Sequence, residues 1–318
     1  MHDSFLFPEF PSSFEKPLTA KLVNYYDERV LLLFGPSKVG KTRIANSEAA
    51  LIASEINAES PPLVEVYLLE SNQRARLISD LISIYALYNV PVNFYAFQST
   101  YYLYKHLNAL RKAINDYKLK REQTMELPRV LVIDSLSAII TELEINQQLG
   151  VRGEGAQPIL ARVSSMIESI VNLASYLVSE ENLNGVALLV AHSTTTWTEK
   201  PYPKLSWLNE KVRYLTKGDY ATDAHIYVTN TAKGKELCNK DNTQALVLAM
   251  ARNTPTKQIG KKVCFKLKEL KEKRKGVITI QNEKHYTVYM YRPAENGEEM
   301  DIHPVVPIPI DYCGEDGC

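Results

Sequence analysis

Short apolar runs punctuate the chain, separated by longer stretches whose apolar positions recur every three or four residues. Arg29-Val30-Leu31-Leu32-Leu33-Phe34 is such a run, closed by Gly35 and followed by a helical pattern from Lys41 to about Ser54. Leu63–Leu69 reads as a second strand, and the region after it carries Leu77, Leu81, Ile84 and Leu87 on one helical face. Arg129–Ile133 and Gly185–Ala191 read as further buried strands, with later ones at Ile226–Thr229, Ala245–Ala251 and Val263–Leu267. Continuous apolar strands alternating with helices predict an α/β fold: a mainly parallel sheet covered on both faces. Near the end, Gly276–Ile280 and Tyr286–Met290 alternate as an antiparallel hairpin does. Pro304, Pro307 and Pro309 predict an extended or loose terminus. No repeat of fixed period is evident. The division expected is an N-terminal arm over 1–20, a core over 21–270, and a small β-rich extension with an acidic tail over 271–318.

Composition narrows the class. With 45% hydrophobic and 23% charged residues in 318, the chain is globular and not globally disordered. It lacks the run of about 20 apolar residues that a membrane span needs, and Met1–Phe5 lacks the basic start and apolar stretch of a secretion signal. Four cysteines make no disulfide framework, so a reducing, cytoplasmic setting is expected. Cys313 and Cys318 alone are too few for closed zinc coordination. Charge balances at 37 Lys+Arg against 37 Asp+Glu, which argues against coating nucleic acid by bulk attraction. The balance hides an asymmetry: nine basic residues lie in 257–275, and seven acidic ones, with no Lys or Arg, lie in 293–318. Such a tail can compete with a polyanion for the basic stretch.

The chemistry concentrates at Gly35-Pro36-Ser37-Lys38-Val39-Gly40-Lys41-Thr42, a full G-x-x-x-x-G-K-[ST] match between a strand and a helix. Glycine lets the backbone curl so that successive N–H groups face phosphates, and the helix N-terminus adds partial positive charge. Lys41 is placed to reach the β/γ-phosphates of ATP and Thr42 to ligate Mg²⁺. Val130-Leu131-Val132-Ile133-Asp134 supplies the second magnesium anchor, Asp134, at a strand end. Val66–Glu70 puts a carboxylate at another strand end, making Glu70 the candidate base for the attacking water. His192, after the strand at 186–191, is a candidate γ-phosphate sensor.

These motifs, in this order, resemble the RecA superfamily of P-loop ATPases over about residues 20–270. Gly35–Lys38 is similar to the phage recombinases of the UvsX type, and Arg152-Gly153-Glu154 resembles the first DNA-binding loop of RadA-type recombinases. Ala191–Thr194 resembles the strand end that opens their second DNA loop, while Ala221–Ala224 and Ala251–Gln258 resemble strands that close the core. The resemblance implies a RecA-like core, ATP and Mg²⁺ as ligands, single-stranded DNA as partner and a homo-oligomer whose site is completed across an interface. It further implies that Arg252, backed by Lys257, reaches a neighbour's γ-phosphate, and that Arg74 or Arg76 lies against the adenine. The second loop carries its own signal, with Trp197, Tyr202, Trp207 and Tyr214 interleaved with Lys200, Lys204, Lys211, Arg213 and Lys217. Stacking rings among cations are what sequence-tolerant single-strand binding uses. A glycine pair near the end of that loop and a clear Phe-x-x-Ala assembly motif are missing. Three readings stand: a DNA-dependent recombinase-like ATPase, a RecA-fold ring motor or helicase, and a recombination mediator whose nucleotide turns over slowly.

Overall fold

The computed structural model describes residues 16–25, 27–69, 74–97, 100–120, 127–139, 159–197, 201–202, 205–213, 215, 221–230, 232–239, 243–249, 260–266, 286–291 and 302–308. Its strands are β1 Val30–Gly35, β2 Val64–Leu68, β3 Val92–Phe97, β4 Val130–Asp134, β5 Val186–Thr195, β6 Glu210–Val212, β7 Ala224–Thr229, β8 Thr243–Ala249, β9 Lys262–Lys266, β10 Tyr286–Tyr291 and β11 Ile302–Ile308. The helices are α1 Lys41–Ile56, α2 Arg74–Leu87, α3 Thr100–Lys120, α4 Ile159–Val178 and α5 Ala232–Cys238. The sheet order is β11-β10-β3-β2-β4-β5-β1-β7-β8-β9, with β6 paired to β5 off that path. From β10 to β7 every pairing is parallel, while β8, β9 and β11 run antiparallel to their neighbours.

Both faces of the sheet are covered, which is why its strands read as apolar runs. Leu31 and Leu33 face a core built with Ile44, Ala45, Ala49 and Ile52 of α1 and Leu81 and Tyr85 of α2. Val30, Leu32 and Phe34 face the opposite core, with Leu103 and Leu107 of α3 and Val163, Ile167 and Ile170 of α4. The start of β1 is held by Asp223, whose Oδ2 accepts the N–H groups of Arg29 and Val30, both at 2.8 Å.

Two carboxylates lie buried on α1. Glu48 accepts the Leu18 N–H (3.0 Å), the Thr19 N–H (2.8 Å) and the Thr19 hydroxyl (2.7 Å), fastening the chain entering the core. Burial nevertheless raises its pKa above the ordinary range. Glu55, only 3% exposed, has no hydrogen-bond partner on either oxygen. Burial lifts it to about 7, opposed by Lys16 and reinforced by Glu48. A carboxyl whose folded pKa exceeds its unfolded value holds more protons when folded, so stability falls as pH rises between the two. Stability should therefore decline from about pH 4.3 to pH 7, and Glu55→Gln should flatten that slope and raise the melting temperature at pH 8. Melting curves across pH check this; an unchanged slope would discard it.

Two features differ from the sequence expectation. Tyr286–Tyr291 pairs antiparallel with Ile302–Ile308 and parallel with β3, while 276–280 lies outside the described residues. The proline-bearing end is extended, as expected, but forms a strand. Cys238 at the end of α5 and Cys264 on β9 are joined in a disulfide, although their spacing of 26 residues carries no motif. Among the described residues no helix is long and apolar enough to cross a membrane.

Candidate nucleotide site and adjoining loop

The C-terminal ends of the parallel strands gather the candidate chemistry. β1 closes on Gly35, and the loop turns through Lys38 (φ 63°) and Gly40 (φ 86°), both left-handed, before α1 begins at Lys41. Left-handed backbone aims peptide N–H groups into one concavity, as phosphate binding requires. Lys41 is 5% exposed and donates to the carbonyls of Gly35 (3.0 Å) and Pro36 (2.7 Å). Val39 is buried, and its carbonyl accepts from the Gln244 side chain of β8. Thr42 is half-buried one position into the helix. Asn46 donates to the Thr42 carbonyl (2.8 Å) and accepts from Tyr85 (2.8 Å), tying this turn to α2.

Asp134 closes β4 and is 5% exposed; its carbonyl accepts the Leu69 N–H at 2.9 Å, and the Asp134–Ser135 peptide is cis. β5 lies between β4 and β1, so His192, in register with Gly35, stands between the two motifs. Its Nδ1 is 3.3 Å from the Ser37 hydroxyl of the phosphate loop. Its N–H donates to Ser137 Oγ (2.6 Å), and its carbonyl accepts the Arg213 N–H (3.2 Å). One residue thus touches the phosphate loop, the helical turn after Asp134 and the segment after β6.

β5 continues past His192, where Ser193–Thr195 pair with Glu210–Val212 of β6 and the Ser193 hydroxyl donates to Glu210. The intervening loop is anchored by Tyr202, 4% exposed, whose hydroxyl meets His225 Nδ1 at 2.7 Å while Thr222 meets Nε2 at 2.9 Å. Burial drops His225 to about 4, so the ring is neutral at pH 7. Trp207 packs on Tyr227, with ring centroids 6.1 Å apart, whereas Trp197 is 92% exposed. Of the two tryptophans, Trp197 offers the open ring face. Lys211 on β6 and Arg213 just after it are half-buried.

Gly35–Thr42, Asp134 and His192 are therefore brought to one sheet edge. Glu70, Arg152, Gly153, Lys200, Lys204, Arg252 and Lys257 lie outside the described residues, and Arg74 opens α2 without a described side chain. Two participants were missed in the sequence: Ser137, which holds the His192 backbone, and Gln244, which holds the phosphate loop. The only signal for Gln244 was a polar residue near the start of an apolar run.

The residues fit a nucleotide with its metal. A Cβ on Gly35 would sit 2.2 Å from the Val228 carbonyl, so the loop passes where only glycine fits. Among the described residues no cluster of three His, Cys, Asp or Glu would hold a metal unaided. Thr42 and Asp134 offer the one or two oxygen donors by which Mg²⁺ is commonly held together with phosphates.

The strand order and the phosphate loop define a RecA-like P-loop fold. No family model and no curated protein matches the chain. Among solved structures 421 chains match. One is a DnaB-like replicative helicase described with its interactions with primase, at 12% identity and a TM-score of 0.45. The match covers 76% of this chain and 56% of that one, so this chain spans little more than half of the helicase.

Proposed function

We propose that the protein is an ATP-dependent, single-stranded-DNA-binding ATPase of the recombinase kind, working with Mg²⁺ as a homo-oligomer. The observation that supports this most directly is β5. The same strand contacts the phosphate loop through His192 and Ser37, then continues into the loop that exposes Trp197. Bound ATP supplies the phosphoryl group whose transfer to water releases energy. In this reading Lys41 exchanges its loop carbonyls for phosphate oxygens, while Thr42 and Asp134 hold Mg²⁺. Glu70 orients water and accepts its proton, and Arg252 of a neighbouring copy neutralises charge on the phosphoryl oxygens. His192 carries the state of the site to the loop, where Trp197 stacks on bases. Lys200, Lys204, Lys211 and Arg213, with Arg152 and Gly153 of the first loop, meet phosphates.

Steady-state ATP hydrolysis should rise strongly when single-stranded DNA is added. Trp197→Ala should weaken DNA binding by about 1–3 kcal/mol, roughly 5- to 150-fold in Kd, with unstimulated hydrolysis retained. A rate indifferent to DNA would remove the DNA-dependent reading. Electron micrographs of the nucleotide-bound assembly separate open filaments from the closed rings of a motor. Turnover insensitive to Glu70→Gln would point instead to a mediator.

A further inference from the structure

β9 and β10 are consecutive strands in the chain, yet they lie eight strand positions apart in the sheet. At about 4.8 Å per strand, that separation is roughly 38 Å. The ends are also at opposite levels. Lys266 is paired with Thr243 at the edge that bears the nucleotide loop, whereas β10 begins at the other edge, with Thr287 in register with Asn93. Adding a strand length of about 17 Å gives a straight line of roughly 42 Å. That line passes through the sheet, and a path over either helix layer adds about 10 Å out and 10 Å back. Residues 267–285 must make this journey. Fully extended, the 20 Cα–Cα steps from Lys266 to Tyr286 reach about 66–72 Å, so pairing within one chain requires a connection drawn almost straight across the molecule. Connections in compact domains are typically far shorter and join neighbouring elements.

We infer that the β10–β11 hairpin is exchanged between copies: the hairpin of one protomer fills the β3 edge of the next. The β3 edge needs such a partner, because without β10 it presents an unpaired row of backbone N–H and C=O groups. The pairing itself is unchanged, with five register partners from Thr287↔Asn93 to Tyr291↔Phe97. Only the chain that supplies β10 differs. Exchange of an identical element is a low-cost route to association. Donor and acceptor lie at opposite ends of the sheet, so the contact is head-to-tail and propagates into a ring or filament instead of closing as a two-fold dimer. β3 adjoins β2, whose end leads to Glu70, so the donated hairpin is added next to the nucleotide edge of its acceptor. This inference deepens the assembly part of the proposed function and is independent of its ATP and DNA chemistry.

Cysteine cross-linking decides it. In a background carrying Cys313→Ser and Cys318→Ser, chains with Asn93→Cys are co-expressed with differently tagged chains carrying Thr287→Cys and treated with a short bismaleimide. Exchange gives a covalent band containing both tags, and the double variant alone gives a ladder of oligomers. A double variant linked only within single chains, with no mixed band, overturns the exchange. Absence of both kinds of link overturns it too. A second variant avoids new cysteines: deleting 276–283 leaves eleven linking residues, about 40–43 Å of reach and too short to round the helices. An oligomer of unchanged melting temperature supports exchange, since so short a connection cannot round the helices within one chain, whereas a monomer of unchanged melting temperature refutes it. Sedimentation of the wild-type chain keeps the two ideas apart, since an oligomer with only intrachain links preserves assembly and removes exchange.

Discussion

Lys41→Ala should lower ATP affinity by at least about 100-fold and abolish hydrolysis, with the fold retained. A charge-assisted hydrogen bond contributes about 1.5–3 kcal/mol, and Lys41 is placed to give more than one to the phosphates. Its ammonium is withdrawn from solvent and lies on the carbonyls of Gly35 and Pro36, so the cation already occupies the mouth of the loop. These contacts lie within its own loop and cross no strand pairing, so circular dichroism should be unchanged. Titration with a fluorescent nucleotide measures the effect. Unchanged affinity would sink the phosphate assignment and every role built on it.

How much of this was legible in the chain varies with the physics involved. The phosphate loop was readable because its residue types are dictated by backbone conformation and charge, which are local properties. Asp134 was readable for a similar reason, as the polar residue that closes an apolar strand. The insertion of β5 between β4 and β1 was not, because pairing of distant strands leaves no trace in local periodicity. β3 escaped notice as well. Asn93 interrupts its apolar run, and Tyr95 turns its hydroxyl to Glu65, a buried carboxylate that also takes the hydroxyl of Tyr67. Trp197 and Trp207 are indistinguishable as residue types; contact with Tyr227 makes one an anchor and leaves the other open. The contact of His192 with Ser37 depends on the register of β5 against β1, which no motif encodes.

Gly35→Ala should damage both the fold and the site, and comparison with Gly185→Ala separates the two effects. At Gly35 φ is +155°, a conformation L side chains rarely adopt, and an added Cβ would lie 2.2 Å from the Val228 carbonyl. At Gly185 it would lie 1.9 Å from the Arg129 carbonyl. Both obstacles are backbone, so neither side can yield without moving a strand, and each variant should lose more than about 2 kcal/mol of stability. The positions differ in what the moved strand carries. Gly185 precedes β5 at the edge remote from the phosphate loop, and displacement there shifts Arg129 and the entry of β4. Gly35 is the last residue of β1, in register with His192, and its carbonyl accepts from Lys41. Displacement there opens the β1–β7 seam and carries the phosphate loop with it. Measured at low temperature, where both variants are largely folded, Gly185→Ala should bind nucleotide as the parent does. Gly35→Ala should bind at least about tenfold more weakly, the equivalent of one lost hydrogen bond. Equal affinities for the two would mean that the loop keeps its shape independently of its seat on β7, and the site would then be held chiefly by Gln244 and α1.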